Sequence, residues 1–426
     1  MFGDAASTAS PKAEGSSATP PSRPSESLRL RLRDALNQPA RLAPRAVEES
    51  VTERSDLSSL GGHWFQSAQG PGYVIESVYE GGHAHGRIPL HRALSLNTGQ
   101  LAGQCRDPRL ANCDARDLLY IDTETTGLGG AGAMVFLAGV ARFDGSLLKL
   151  RQYLLPSPQY EGGLLGGLAE ELETATALVS YNGKSFDVPM LESRYILARL
   201  RPAFRNLPHL DLLHPNRRLF KGSFDSYRLP RMEAELLGFE REDDCPSAEV
   251  PERYFRFQRS GDPTWIAPVL RHNAWDILSL VALAGHLGSV CDGAEYPFQA
   301  GRAAEYAGNH EAAIAHCEVA LSGNLQRSER LEALERAARS SRKLGQYEDA
   351  ARWWRALIAE PRNRRLTPYV ELAKVLEHRL RDRAGALSLV DEALDQVLRG
   401  LLRPASPPAE ASVEALTHRR ERLIRS

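Results

Sequence analysis

Cysteine, net charge and long apolar segments are all scarce in this 426-residue sequence. The five cysteines form no CxxC pair and no regular spacing, which argues against a structural zinc site or a disulfide framework. No apolar run approaches the roughly 18 to 20 residues that span a bilayer, and the N-terminus lacks the basic and apolar regions of a signal peptide. We therefore expect reduced thiols, no membrane association and a cytoplasmic location.

The formal net charge of −1 gives no global sign of a nucleic-acid partner, so such a partner must be argued from local groups. Apolar residues make up 42% of the sequence and charged residues 25%, which is typical of globular proteins. Because the chain is longer than the roughly 100 to 200 residues of an ordinary domain, it predicts two folded units with flexible segments.

Composition and apolar spacing divide the chain into four segments. Residues 1–55 are rich in Ser, Pro, Ala and Arg and predict a disordered tail, and residues 56–116 predict a β-rich lead-in segment. Residues 117–292 begin with three short apolar runs and then alternate strands with helices, including a helical stretch over residues 223–245. This order predicts a mixed α/β layer. Residues 295–426 show apolar spacing of helical type throughout.

A short pattern recurs in the helical segment at steps of 37 and 36 residues, counted from residues 308, 345 and 381. Its copies are Gly308-x-His310-x-x-Ala313, Gly345-x-Tyr347-x-x-Ala350 and the degenerate Arg381-x-Arg383-x-x-Ala386. The period resembles that of tetratricopeptide repeats, whose stacked helix pairs offer a surface for a protein partner or for self-association. A plain helical bundle is the alternative.

Three acidic motifs carry the candidate chemistry. In the first, the apolar run before Asp122 predicts a strand that places Asp122 and Glu124 on one face, where two carboxylates can share a metal ion. In the second, Asp187 follows a strand and opens a helix, where it also suits the helix dipole. In the third, His272 and Asp276 lie one helical turn apart, a spacing that is also common in surface contacts.

The order of these motifs resembles the DEDD exonuclease superfamily over about residues 117 to 290. The segments DTETTGL, VFLAGVA, SYNGKSFDVPML, HLDLL and HNAWDILSL together resemble its YprB-type ribonuclease H-like branch. The resemblance implies an α/β ribonuclease H-like fold and four carboxylates that hold two Mg²⁺ or Mn²⁺ ions: Asp122, Glu124, Asp187 and Asp276. Hard divalent cations prefer such oxygen ligands, and two of them would neutralise the four negative charges.

The resemblance also implies that His272 is the general base, a role that suits imidazole near neutral pH. The histidine-bearing motif of the superfamily has four residues between His and Asp, whereas three separate His272 from Asp276. The spacing therefore leaves the identity of the base open, and Asn273 lies beside it.

Residues near these motifs are candidates for substrate binding: Thr125, Asn182, Lys184 and Phe186. Lys184 suits a phosphate contact and Phe186 suits stacking on a base, although such aromatic residues more often belong to a core. A basic segment between residues 194 and 231 is a further candidate for the backbone, with a solvated helix face as the alternative. We expect a two-metal 3′-to-5′ exonuclease acting on single-stranded DNA or RNA. The alternative is a catalytically weak nucleic-acid-binding adaptor whose helical repeats recruit a protein.

Overall fold

The computed structural model describes residues 57–127, 132–201, 204–403 and 412–425, so the predicted tail at residues 1–55 lies outside the described residues. The strands in the described part are β1 His63–Ser67, β2 Gly70–Glu80, β3 Ala84–His85, β4 Ile88–Pro89, β5 Leu118–Thr125, β6 Val135–Asp144, β7 Leu147–Leu154, β8 Ala177–Ser180 and β9 His209–Asp211. Strands β3 and β4 form a small hairpin of their own.

Within the described residues, the other seven strands form one mixed sheet in the order β1-β2-β7-β6-β5-β8-β9. Strands β5, β6 and β7, which correspond to the three predicted apolar runs, form an antiparallel meander, whereas β8 runs parallel to β5 and β9 parallel to β8. Strand β5 lies in the interior of the sheet and is covered on both faces, which explains its uninterrupted apolar run. The last four residues of β5 are less buried, and Asp122 and Glu124 are among them.

The α-helices of the described residues follow in chain order. They are α1 Thr98–Cys105, α2 Glu161–Thr174, α3 Asp187–Leu197, α4 Leu213–Leu219, α5 Leu229–Met232, α6 Val250–Ser260, α7 Ala267–Asp292, α8 Pro297–Ala307, α9 His310–Ser322, α10 Arg327–Lys343, α11 Tyr347–Ala359, α12 Thr367–His378, α13 Arg383–Leu398 and α14 Val413–Arg425. A π-helical turn, Glu233–Leu237, continues α5.

Two apolar layers enclose the sheet. Leu118 and Tyr120 of β5 pack into one layer with residues of α7, whereas Leu119 and Ile121 point to the opposite layer. This alternation is the period of a strand, whose neighbouring side chains point to opposite faces. The result confirms the predicted mixed sheet with flanking helices.

Helix α7 is the central helix of this unit. Together with the short 3-10 turn before it, α7 is long and apolar enough to cross a membrane by length and composition, yet 83% of its most apolar stretch is buried inside the protein. Its apolar character is therefore accounted for by the core, where it packs on β5 and β6.

Strands β1 and β2 of the predicted β-rich lead-in join the main sheet through β7. Another segment differs from the sequence prediction. The predicted helix over residues 223–245 is wrong for most of its length, because it contains only α5 and the π-helical turn. Helix α6 was not predicted.

The C-terminal region is helix-rich, and its successive helices pack against one another. The first residue of each predicted repeat copy lies in a turn between two helices with a positive φ: 81° at Gly308, 77° at Gly345 and 57° at Arg381. Glycine adopts this conformation without a steric penalty, whereas arginine adopts it at a steric cost. The third turn therefore has the same backbone conformation as the first two, although its sequence lacks the glycine.

Candidate metal centre

The end of β5 carries the first two acidic residues. Asp122 and Glu124 are two positions apart on the strand, and a register irregularity at Glu124 and Thr125 ends the regular pairing with β6. Both carboxylates therefore project from the same face at the point where the strand leaves the sheet.

Asp187 reaches this strand from the start of α3. One of its carboxylate oxygens, Oδ1, accepts hydrogen bonds from the backbone N–H of Thr123, at 3.1 Å, and from the Thr123 hydroxyl, at 2.6 Å. Since Thr123 lies between Asp122 and Glu124, these bonds bring the third carboxylate beside the first two.

The turn that delivers Asp187 is held by a buried acid on the next strand. Asp211 accepts hydrogen bonds from the backbone N–H groups of Asn182, at 2.7 Å, and Lys184, at 3.2 Å. Asn182 has a positive φ of 66°, a conformation that asparagine tolerates better than most residues. Asp211 thus shapes the loop between β8 and α3 rather than entering the centre.

Helix α7 brings the remaining groups across the sheet. Asn273, fully buried, donates from Nδ2 to Oδ2 of Asp122 at 2.9 Å and accepts from Gln152 on β7 at 2.9 Å. The helix approaches β6 closely at Gly139, where a β-carbon would lie 2.2 Å from the Asn273 side-chain oxygen. Asn273 thus positions Asp122, and only a glycine at position 139 leaves room for the Asn273 side chain.

His272 and Asp276 face the strand carboxylates from α7. Nε2 of His272 lies 3.4 Å from Oδ2 of Asp276 and 3.9 Å from Oε1 of Glu124, and one ligand atom from each of these residues lies within 4.8 Å of the others. The other ring nitrogen, Nδ1, lies 2.8 Å from a carboxylate oxygen of Asp244. The predicted i, i+4 pair on the helix is therefore brought to the predicted pair on the strand.

A buried arginine that the sequence analysis did not single out supports this arrangement. The Arg241 guanidinium donates to both oxygens of Glu233, at 2.6 and 2.8 Å, to Asp244 at 3.1 Å, and to Oδ1 of Asp276. Its side chain is only 7% exposed. Arg241 thus fixes Asp276 from behind and leaves Oδ2 of that carboxylate facing Glu124 and His272.

Three of the carboxylates, those of Asp122, Glu124 and Asp187, resist ionisation. Burial, followed by repulsion from the neighbouring acids, raises the pKa of Asp122 and of Glu124 well above the usual range. Burial also raises the pKa of Asp187 to about 6, although the hydrogen bonds from Thr123 act to lower it. For Glu124, burial and the neighbouring acids outweigh the opposing positive charge of Arg241.

The donor set fits a divalent cation. Glu124, His272 and Asp276 each offer one ligand atom to a common point, and Asp122 and Asp187 add carboxylate oxygens beside it. Carboxylates suit Mg²⁺ and Mn²⁺, and most of these donors are already oriented by a hydrogen bond from behind. An ion bound here would offset the repulsion that, after burial, raises the pKa values of Asp122 and Glu124.

A cleft of about 730 Å³ opens beside Asp187. Its walls include the candidate substrate residues Thr125 and Phe186, together with apolar side chains of α3 such as Met190 and Leu197. Phe186 is 55% exposed and is therefore not a core residue. Lys184 is exposed on the loop just before this cleft.

The basic segment between residues 194 and 231 is partly used for structure. Arg194 pairs with Glu161 at 2.5 Å, Arg218 stacks over the Tyr306 ring at 3.4 Å, and Arg231 pairs with acidic neighbours. Arg194 and Arg218 are thus engaged in contacts within the protein, whereas the Arg231 pairs lie nearer the surface.

A histidine outside the three acidic motifs is connected to the centre. His85 of the small hairpin is buried and lies 2.8 Å from the hydroxyl of Ser279 on α7, which donates to Glu233 at 2.5 Å. Through Arg241 this chain of contacts reaches Asp276. Burial, together with the positive charge of Arg241, lowers the pKa of His85 to about 4, so this histidine is neutral in the fold.

Comparison with protein families matches residues 119–288 to the ribonuclease H superfamily, and the chain belongs to that superfamily. It is similar to the protein named Uncharacterized protein YprB of Bacillus subtilis (strain 168), with 34% identity over 297 residues. The alignment covers 65% of this chain and 69% of YprB. The superfamily indicates a nuclease that binds nucleic acid, and its matched range contains every residue of the centre described above.

Proposed function

We propose that the protein is a 3′-to-5′ exonuclease that hydrolyses single-stranded DNA or RNA with two Mg²⁺ or Mn²⁺ ions. The observation that carries this proposal is the convergence of four carboxylates from three distant parts of the chain: Asp122, Glu124, Asp187 and Asp276. The raised pKa values of Asp122, Glu124 and Asp187 favour a site for cations rather than a structural cluster. So does the convergence of one ligand atom each from Glu124, His272 and Asp276 within 4.8 Å of one another.

The residues of the chain divide the work among them. The four carboxylates hold the cations, and hydrogen bonds from Thr123 and Asn273 keep two of these carboxylates in place. Divalent ions, when bound, supply a more acidic water and stabilise the negative charge that builds on the scissile phosphate. His272 either accepts a proton or serves as a ligand, and the proposed activity does not depend on which of the two it does.

The cleft beside Asp187 supports the choice of a single strand. Phe186 and the apolar residues of α3 suit the faces of unpaired bases, which are exposed in a single strand and stacked away in a duplex. Lys184, which is exposed on the loop before α3, suits a phosphate. The 3′-to-5′ direction follows the resemblance to the DEDD superfamily.

The C-terminal helices support a second part of the proposal. Their turn pattern and pairwise packing agree with tetratricopeptide-like repeats, and we propose that they recruit a protein partner or a second copy of the chain.

The test is degradation of 5′-labelled single-stranded DNA and RNA in Mn²⁺, Mg²⁺ or EDTA, with Asp122→Asn as the paired variant. We expect a ladder that shortens from the 3′ end, requires a metal ion and disappears in the variant. If the folded wild-type protein leaves both substrates intact with either metal, the nuclease proposal fails and the nucleic-acid-binding adaptor takes its place.

A further inference from the structure

The two nitrogens of His272 have different surroundings. Nδ1 lies 2.8 Å from a carboxylate oxygen of Asp244 and 3.2 Å from Nη1 of Arg241, whereas Nε2 has no hydrogen bond to a described residue and faces Asp276 and Glu124 at 3.4 and 3.9 Å. The shorter contact of Nδ1 is with the Asp244 carboxylate, which can only accept, and this contact favours the tautomer with the proton on Nδ1. That tautomer leaves the lone pair of Nε2 directed at Asp276 and Glu124.

The position of His272 suits a ligand better than a proton acceptor. Its side chain is 9% exposed and is enclosed by Asp244, Arg241 and its own helix. A general base must contact the attacking water and then release its proton to solvent. The i, i+4 spacing on α7 instead sets Nε2 next to Oδ2 of Asp276, as in helical motifs in which two side chains bind one ion.

The side chains around this point hold the ligand atoms in place. Arg241 donates to Oδ1 of Asp276, so that carboxylate offers Oδ2, and Asp244 fixes the His272 ring. One ligand atom each from Glu124, His272 and Asp276 therefore converge within 4.8 Å. A carboxylate that supports an imidazole from behind is the usual companion of a histidine ligand.

We propose that His272 is a direct ligand of the cation held by Glu124 and Asp276, with Asp244 as its positioning residue. This inference rests on the proposed function, because it concerns the ion of the same centre. A nitrogen ligand in an oxygen-rich site disfavours Mg²⁺, which demands oxygen, relative to Mn²⁺, which accepts imidazole. The site is therefore expected to bind Mn²⁺ more tightly than Mg²⁺.

The first test measures metal binding without nucleic acid. The full-length protein, freed of metal with EDTA, is titrated with Mn²⁺ while the free ion is followed by electron paramagnetic resonance, and Mg²⁺ is then used as a competitor. We expect Asp244→Asn to weaken Mn²⁺ binding by roughly 10- to 100-fold and His272→Ala to weaken it at least as much. His214→Ala, which removes an exposed histidine of α4, is the matched control and should bind as the wild type does.

A second measurement needs no variant that has to fold. Electron-spin-echo spectra of the Mn²⁺-loaded wild-type protein, prepared with ¹⁴N- or ¹⁵N-histidine, should show a coupling to nitrogen that changes with the isotope. A spectrum without histidine coupling overturns the proposal, as does an unchanged Mn²⁺ affinity in a folded His272→Ala protein. Mn²⁺ bound through oxygen alone leaves the proposed nuclease intact, whereas a wild-type protein that binds no Mn²⁺ contradicts both proposals.

Discussion

At the scale of single residues, the centre contains acids that are held in place before any ion arrives. Thr123 orients Asp187, Asn273 orients Asp122, and Arg241 orients Asp276. The cost of this arrangement is burial of the acids and, after it, their mutual repulsion, and both raise the pKa values of Asp122 and Glu124. The stability of the metal-free protein should therefore depend on pH.

The direction follows from Asp187, whose pKa rises from 3.8 in an ordinary aspartate to about 6 in the fold. The unfolded chain ionises this group at lower pH than the folded protein does, so stability falls as pH rises from about 4 through about 6. We expect the melting temperature in EDTA to fall over this range, and Mn²⁺ to raise it more at about pH 8 than at about pH 5. Asp187→Asn should flatten the dependence in EDTA, and an equally steep curve in that variant would contradict the assignment.

At the scale of elements, α7 and β6 meet at Gly139. Because a β-carbon at this position would lie 2.2 Å from the Asn273 side chain, helix and strand must separate in Gly139→Ala, or Asn273 must release Asp122. We expect a loss of about 1 to 3 kcal/mol in the free energy of unfolding and a marked loss of nuclease activity. Chemical denaturation and the strand-degradation assay measure the two effects.

Gly82→Ala provides the comparison for this variant. A β-carbon at Gly82 meets no atom within 4 Å, and its φ is not positive. It should leave both stability and activity close to those of the wild type. If Gly139→Ala behaves in the same way, the close approach of α7 to the sheet does not position Asp122.

The π-helical turn and the loop after it form the second supporting element, through the pair of Glu233 and Arg241. Arg241→Met leaves the buried carboxylates of Glu233 and Asp276 without their cation, and such a loss costs about 3 to 5 kcal/mol. Arg399→Met breaks an exposed pair with Asp395 and should cost at most about 1 kcal/mol. Equal losses in the two variants, measured by urea denaturation, would show that the buried network is not a stabilising support.

The elements of the centre differ in how far the sequence predicts them. Asp122 and Glu124 follow an apolar strand, and His272 and Asp276 share a helix face, so local periodicity is enough to find them. Arg241 and Asp244 lie in a loop of the structure, although the sequence analysis predicts helix for this part of the chain. Their role arises only when the loop folds over α7, and an isolated arginine gives no signal of a buried contact.

At the scale of the whole molecule, hydrogen bonds join the helical region to the α/β unit. Arg302 of α8 donates to the backbone carbonyls of Leu219 and Lys221 and pairs with Glu332 of α10, while Gln104 of α1 donates to the carbonyl of Ala303. Arg302 is buried. The structure thus links the two parts at a fixed contact rather than through an extended linker.

Breaking this contact should uncouple the two parts. We expect Arg302→Ala to convert a single calorimetric unfolding transition into two, because the two carbonyls lose their buried donor and Glu332 keeps only Arg336, which is on its own helix. Arg352→Ala removes an exposed pair with Asp349 and should keep the wild-type profile. A single, unshifted transition in both variants would indicate that Arg302 does not couple them.

The central claim is that four acids from three parts of the chain act as one nuclease centre. Its most direct measurement is the rate at which a 5′-labelled single strand is degraded in Mn²⁺ by the wild type and by Asp122→Asn, Glu124→Gln, Asp187→Asn and Asp276→Asn, with His214→Ala as control. We expect each of the four to lose more than the roughly 10- to 100-fold that removing an outer partner of a metal ligand costs, and the control to keep its rate. A folded variant among the four that degrades the strand at the wild-type rate would contradict the account.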